Sequence, residues 1–268
     1  MGEDGEVTRP RSAYRSDCSS CAGLCCVALP FARSADFPED KAGGDPCRHL
    51  GPDFGCGIHD RLRERGYAGC TVFECFGAGQ QVTQVTFGGT DWRTEPALRQ
   101  DMFDVFAVMR QLHEMLALLE EASERSSAPD LAEVAEQVSA VAAGSAAEVL
   151  ATDLGTLRSA VGSILRRVSA EVRRPAGQAL AGADLLGRDL RRRDLRRADL
   201  RSALLVAADL RGVDLTDADL LGADLRDAAV AGADLSRALF LTQAQVNALR
   251  GDGTTRLPAG HDRPAHWG

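Results

Sequence analysis

The second half of the chain repeats a large apolar residue at every fifth position. Between residues 178 and 250 these positions are Leu180, Leu185, Leu190, Leu195, Leu200, Leu205, Leu210, Leu215, Leu220, Leu225, Val230, Leu235 and Phe240. A small residue usually stands two positions earlier and an aspartate one position earlier, so the unit is A-D-L-x-x. A helix would carry successive leucines around its whole cylinder, and a straight strand would alternate them between two faces. The pattern therefore predicts a chain that turns after each pentad and stacks as a solenoid, with the leucine and the small residue inside.

The A-D-L-x-x unit resembles the pentapeptide-repeat family. That resemblance implies a right-handed, four-sided β-helix with one pentad per side, and a tower about 15 Å tall at about 4.8 Å per stacked strand. We expect each aspartate to accept hydrogen bonds from backbone N–H groups near its corner, as in Asx turns, rather than to bind metal or act in catalysis. Arg188 and Arg193 stand where a small inward residue belongs, so the first coil is expected to be irregular.

Residues 94–175 show the helical period instead. Three apolar series predict three helices: Met102, Val105, Met109, Leu112, Leu116 and Leu119; then Leu131, Val134, Val138 and Val141; then Leu150, Leu154, Leu157, Val161, Ile164 and Val168. Breaks are expected at 126–130, at Gly144-Ser145 and at 173–175. We expect the helices to pack as an antiparallel bundle or to form a homodimer through residues 95–172.

Two shorter segments also carry local signals. Residues 76–92 contain glycine pairs with Val, Thr and Phe, which predict a short β-hairpin. A short helix is predicted at 242–249, and Leu257 and Trp267 are expected to cover the open end of the solenoid, with His261 and His266 as capping residues.

These patterns predict a multidomain protein: a disordered N-terminus (1–17), a cysteine-rich metal-binding module (18–93), an α-helical region (94–175), a pentapeptide-repeat β-helix (176–250) and a capping tail (251–268). The net charge of −8 argues against direct nucleic-acid binding. An arginine-rich stretch from 166 to 201 is interleaved with aspartates, which favours salt-bridge ladders. Because no long apolar run is present, we expect a soluble, cytoplasmic protein without a membrane segment.

All eight cysteines fall in the N-terminal part, at Cys18, Cys21, Cys25, Cys26, Cys47, Cys56, Cys70 and Cys75. In a reducing cytosol this favours thiolate ligands over disulfides, and four thiolates suit zinc or an iron–sulfur cluster. The adjacent Cys25 and Cys26 are expected to point apart, and thus to serve two neighbouring sites or to leave one of them structural. Cys18 and Cys21 can bind one ion through a tight turn, and a later pair such as Cys70 and Cys75 can complete it.

The stretches CSSCAGLCC (18–26), DPCRHL (45–50), CGIHDRLRERGYAGC (56–70) and FEC (73–75) resemble the putative zinc- or iron-chelating domain family. The resemblance implies metal binding, with zinc as the first choice and iron or an iron–sulfur cluster as the second. His59 stands where that family has an aromatic residue, and His49 is also close to a cysteine. We take His59 as a further candidate ligand.

Neither a P-loop, an H-E-x-x-H motif nor a nucleophile elbow occurs in the sequence. The sequence therefore favours a non-enzymatic metal-binding scaffold that presents its solenoid to an unidentified protein partner. One alternative is a metal-dependent oxidoreductase or modifying enzyme built on the cysteine module. A second is a gyrase-binding DNA mimic, although the repeat region is short and charge-balanced for that role.

Overall fold

The computed structural model describes residues 14–267 of the chain. These residues divide into two compact units, one formed by residues 14–172 and the other by the residues from Arg173 onward. The cysteine segment and the helical region lie in the same unit. Their separation into two domains at 93/94 remains a prediction from composition.

Eight α-helices occur in the described residues: α1 (Leu24–Ala28), α2 (Ala68–Thr71), α3 (Ala78–Gln80), α4 (Arg99–Ser123), α5 (Pro129–Ala142), α6 (Ala146–Leu150), α7 (Leu154–Val172) and α8 (Gln243–Ala248). Short 3₁₀ turns are found at Cys18–Ser20, His59–Arg61, Pro96–Leu98 and Ala265–Trp267, and a π-helical segment at Gln81–Thr86. No helix among the described residues is long and apolar enough to cross a membrane.

The predicted helical region forms around α4, which contacts α5, α6 and α7. Every residue of its predicted apolar series is buried, from Met102 to Leu119. The break at Gly144-Ser145 is real, because the Ser145 side chain caps α6 by accepting a hydrogen bond from the backbone of Glu148. The third series begins later than predicted: Leu150 is 41 % exposed, and α7 buries Val161, Ile164 and Val168.

The hairpin predicted for residues 76–92 is wrong. This segment is helical, with α3 continuing into the π-helical turn. The Thr83 side chain explains the difference: it donates to the carbonyl of Gly79 on the preceding turn and accepts from the backbone N–H of Ala22. Val82 is fully buried on the same segment. Tertiary contacts therefore override the β-propensity of the Val and Thr residues.

The pentads stack in coils of four. Parallel bridges join residues 20 positions apart, for example Asp184 with Leu204, and Leu204 with Asp224. The central residues from Leu190 to Phe240 are all buried, and a small residue two positions earlier is buried beside most of them. The interior predicted from the five-residue period is therefore confirmed from Leu190 onward, whereas Leu180 and Leu185 are only partly buried.

The implied β-helix is not found as a continuous sheet, because the described residues pair only through isolated bridges and form no extended strand. Each side of a coil has five residues, and the turn takes up most of them. The second residue after the central position is left-handed in most pentads, with φ of 54° at Ser202 and 69° at Gly212. One residue per side forms a bridge, and backbone N–H groups such as those of Asp199, Leu200 and Ser202 also donate to carbonyls of the neighbouring coils.

The aspartates have the structural role that the sequence predicted. The carboxylate of each accepts a hydrogen bond from the backbone N–H two residues later, at Asp184, Asp189, Asp194, Asp199, Asp209, Asp214, Asp219, Asp224 and Asp234. Where that later residue is an arginine, its guanidinium binds the same carboxylate, as Arg211 does with Asp209 at 2.6 Å. Within the arginine-rich stretch, Arg191, Arg196 and Arg201 are paired with aspartates in this way. The exposed Arg188 and Arg193 mark the irregular first coil.

The tail after the repeats packs on the repeat core. Trp267 is 4 % exposed and joins the buried cluster of leucines, and Leu257 packs against the same cluster. His261 donates a hydrogen bond to the carbonyl of Leu241, and Trp267 donates one to the carbonyl of Leu249. The short helix predicted at 242–249 is confirmed as α8, which is capped by Thr242.

Of the N-terminal segment predicted to be disordered, residues 1–13 lie outside the described residues. Residues 14–17 make defined contacts instead. The ring of Tyr14 lies edge-on to that of His113 at 5.4 Å between centroids, and the carbonyl of Arg15 accepts a hydrogen bond from Gln80. These contacts bring the segment alongside the first cysteines.

Candidate metal centre

The eight cysteines lie on short elements of the unit formed by residues 14–172. Cys18 begins a 3₁₀ turn, Cys25 and Cys26 lie in α1, and Cys70 lies in α2, while the others are in loops: Cys21, Cys47, Cys56 and Cys75. All eight are free thiols. The unit therefore carries no disulfide that would explain their number.

Four of the cysteines surround one small cavity, and we call them the first thiol group: Cys18, Cys21, Cys25 and Cys75. Loops and the glycine Gly79 bring these residues together across almost 60 positions of sequence. A Cβ placed on Gly79 would lie 2.6 Å from the sulfur of Cys21 and 3.9 Å from the sulfur of Cys75, so both sulfurs converge over the bare backbone of α3. Ser16 closes the other side, with its hydroxyl oxygen 2.9 Å from the sulfur of Cys75. Phe106 of α4 lines the cavity as well.

The other four cysteines, Cys26, Cys47, Cys56 and Cys70, do not line this cavity, and we call them the second thiol group. The backbone N–H of Cys47 donates to the carbonyl of Cys26 at 2.9 Å, and Cys56 pairs with Leu50 in an antiparallel bridge. Cys56 also packs against the buried Ile58, Leu62 and Tyr67. Cys70 follows Tyr67 and donates its N–H to the carbonyl of that residue.

The thiols of each group influence one another electrostatically. Burial raises the pKa of Cys18 to about 11, and the neighbouring Cys75, Cys21 and, from the second group, Cys26 raise it further. Burial raises the pKa of Cys70 to about 12, and here the neighbours that add to the shift are Cys26, Cys47 and Cys56. These thiols are therefore protonated at neutral pH in the absence of a cation, and a metal that binds them has to displace their protons.

Cys25 and Cys26 connect the two groups. Their sulfurs lie 3.9 Å apart, so the two side chains do not diverge as the sequence analysis predicted. The hydrogen bond between the two thiols raises the pKa of Cys25 and lowers the pKa of Cys26.

Within residues 14–267, no three or more His, Cys, Asp or Glu side chains are spaced to hold an ion as they stand. The donor chemistry nevertheless fits zinc or iron, because each group supplies four sulfurs, which fill a tetrahedral site. The thiols of each group lie in the same region of the fold but do not form a coordination shell. Ligation would require their side chains to turn inward.

The two histidines occupy different settings. His49 packs edge-on against Tyr67, at 5.1 Å between ring centroids, beside the second thiol group. His59 lies on an exposed 3₁₀ turn, and none of the described contacts joins its ring to a cysteine. Ligation by His59 remains a prediction.

The sequence analysis missed the role of Lys41, the only lysine of the chain. Its ammonium is buried and donates to three backbone carbonyls, those of Val27, Ala42 and Asp45, at 3.2, 3.0 and 2.8 Å. Burial lowers the pKa of Lys41, while the nearby Cys47, Asp45 and Cys26 act to raise it. The sequence did carry a signal for this role, because the only lysine of an arginine-rich chain lies between two clusters of cysteines.

Comparison with known proteins adds to this geometry. A family model described as pentapeptide repeats matches residues 194–228 and 203–240, in eight copies, and covers none of the cysteines. The chain is also 51 % identical over 267 residues to the uncharacterized protein YybG of Bacillus subtilis strain 168, covering 94 % of each protein. The chain belongs to the family of YybG. The similarity of this YybG-family chain to YybG therefore extends well beyond the repeats, over nearly the full length of both proteins.

Among solved structures, a pentapeptide-repeat protein of the Arabidopsis thaliana thylakoid lumen is 29 % identical, with a TM-score of 0.26. The similarity covers 31 % of the YybG-family chain and 57 % of the Arabidopsis protein. We draw no argument from a similarity of that size.

Proposed function

We propose that this chain is a non-enzymatic, cytoplasmic metal-binding scaffold, whose cysteine segment binds zinc and whose pentapeptide repeats present a surface to a protein partner. The observation that carries the proposal is the gathering of eight free thiols from segments far apart in sequence into two groups of four. A single free cysteine is common in proteins. Eight free thiols within 58 residues, brought together on short elements and loops, favour a shared ligand.

Zinc suits this donor set better than other ions. Four thiolates form the closed tetrahedral shell of structural zinc sites, which leaves no position for substrate. The cysteine segment has only short helices and small apolar clusters such as that of Ile58, Leu62 and Tyr67. A bound ion would cross-link its loops and supply folding free energy that so small a core lacks.

The repeat unit supports the scaffold part of the proposal. We take its stacked pentads as the right-handed, four-sided β-helix that the family resemblance implies. Its interior is filled by leucine and alanine side chains, so ligand recognition would have to occur on the outer sides. Those sides carry paired aspartates and arginines such as Asp224 and Arg226, which argues against the purely acidic surface expected of a DNA mimic.

The test is the metal content and optical spectrum of the full chain purified without oxygen. We expect about two zinc ions per chain and no visible colour, with most thiols protected from an alkylating reagent until a chelator is added. Protein with no bound metal and eight rapidly alkylated thiols would refute the proposal. Bound iron with a coloured spectrum would refute the zinc assignment and favour the oxidoreductase alternative.

A further inference from the structure

We infer that the eight cysteines form two separate four-thiolate metal sites, one from each thiol group, and that the adjacent Cys25 and Cys26 belong to different sites. This inference rests on the metal binding proposed above. The inference assigns each sulfur to one of two ions. Neither the spacing of the cysteines nor the similarity to YybG reveals that assignment.

The first site is defined by the cavity. Its lining includes Cys18, Cys21, Cys25 and Cys75 together with Ser16, and includes none of the other four cysteines. The 3₁₀ turn of Cys18–Ser20 and the turn before α3 face each other, because Gly79 has no side chain to separate them. Replacing this glycine with a larger residue would drive a Cβ into the sulfur of Cys21. The close approach therefore brings together cysteines from the two ends of the segment.

The second site is defined by backbone pairing. Cys47 is hydrogen-bonded to Cys26 through the main chain, and Cys56 lies across a bridge from Leu50, three residues after Cys47. Tyr67 connects this loop to α2: its ring contacts His49, and its carbonyl accepts the N–H of Cys70.

The distance between Cys25 and Cys26 does not by itself separate the sites. Two sulfurs about 2.3 Å from one tetrahedral ion are also close to 4 Å apart. The separation comes from their surroundings, since the Cys25 sulfur faces the cavity while the backbone of Cys26 pairs with Cys47. The 3.9 Å contact therefore makes the two sites immediate neighbours.

A buried cation accompanies the second site. A divalent ion with four thiolates carries a net charge of about −2, which is costly to bury. The Lys41 ammonium, fixed by three carbonyls and close to Cys26 and Cys47, offsets part of that charge. Loss of the Lys41 charge should thus weaken the hold of the second site on its ion.

Two double variants test the partition, C18S/C75S for the first site and C56S/C70S for the second. Each is expected to keep one of the two zinc ions, and the quadruple variant none, by metal analysis of the full chain. E64A, at an exposed position of the same segment, is the control and is expected to keep both ions. Loss of both ions from either double variant, with helical circular dichroism retained, would overturn the partition.

A measurement on the unmodified chain tests the same inference without relying on variants that fail to fold. Replacing the bound zinc with cadmium-113 should give two cadmium resonances, both in the range of four-sulfur coordination. A single resonance, or a shift typical of nitrogen or oxygen ligands, would overturn the two-site inference while metal binding itself stood. A wild-type chain that binds no metal would instead refute the proposed function.

Discussion

Leu204 and Leu205 offer the sharpest test of the repeat, because they are neighbours in sequence with opposite environments. Leu205 is a central residue of a pentad and has no exposed surface, whereas Leu204 occupies the aspartate position and is 44 % exposed. The five-residue period explains this contrast. We therefore compare the same substitution, leucine to alanine, at two adjacent positions.

The expected magnitudes follow from burial. L205A removes three buried carbon atoms, worth about 2.4 kcal/mol at about 0.8 kcal/mol each, and leaves a cavity between coils. Backbone hydrogen bonds such as that from the N–H of Leu205 to the carbonyl of Asp224 hold the coils at a fixed spacing, so the cavity cannot collapse easily. We expect a loss of about 3–5 kcal/mol for L205A. L204A should cost at most about 1 kcal/mol.

Urea denaturation gives the free energy of unfolding, and hydrogen exchange read by mass spectrometry assigns the loss to residues 173–267. The dependence of free energy on urea should be equal in both variants, so that the midpoint alone reports stability. Equal losses in L204A and L205A would refute the assignment of the interior. A large loss of stability in L204A with little loss in L205A would mean that the pentads have been assigned in the wrong register.

Three further predictions concern charge. R201A should lower the free energy of unfolding in urea by about 3–5 kcal/mol, because Arg201 lies 3.5 Å from the fully buried carboxylate of Asp219. R211A removes a half-exposed arginine and should lower it by only about 0–1 kcal/mol. Similar losses in the two variants would contradict a stabilising role for the buried pair. Arg196 hydrogen-bonds Asp194 and lowers the pKa of that carboxyl to about 2, below the unfolded value of about 3.9. The resulting stabilisation is complete above about pH 4 and is lost as pH falls toward 2, so thermal unfolding of the repeat unit that is insensitive to pH in this window would refute it. K41M should make the second site release zinc to a chelator sooner than the first, and equal release from both sites would argue against a role for the Lys41 charge.

The period of the repeat was readable from sequence because its interactions are local. Each pentad carries its own inward leucine and its own aspartate bond, such as that from Asp214 to the N–H of Thr216. The central residues, the Asx turns and the capped α8 could therefore be predicted. The absence of an extended sheet could not, because it depends on how few residues each corner leaves for pairing.

The cysteine segment shows the opposite case. Its arrangement depends on contacts between distant positions, such as the indole N–H of Trp92 donating to the carbonyl of Ala22 and Thr83 accepting from the N–H of the same residue. Composition predicted a hairpin near Thr83, which was wrong. The adjacency of Cys25 and Cys26 predicted side chains that point apart, which was also wrong. Spacing alone identified the eight candidate ligands but not the two groups into which the fold divides them.

X-ray absorption at the zinc edge of the native chain tests the central claim most directly, because it counts the atoms bound to the metal. The account predicts a first shell of four sulfurs at about 2.3 Å, with no nitrogen or oxygen. A shell that contains imidazole nitrogen or carboxylate oxygen, or a chain that carries no zinc to measure, would contradict it.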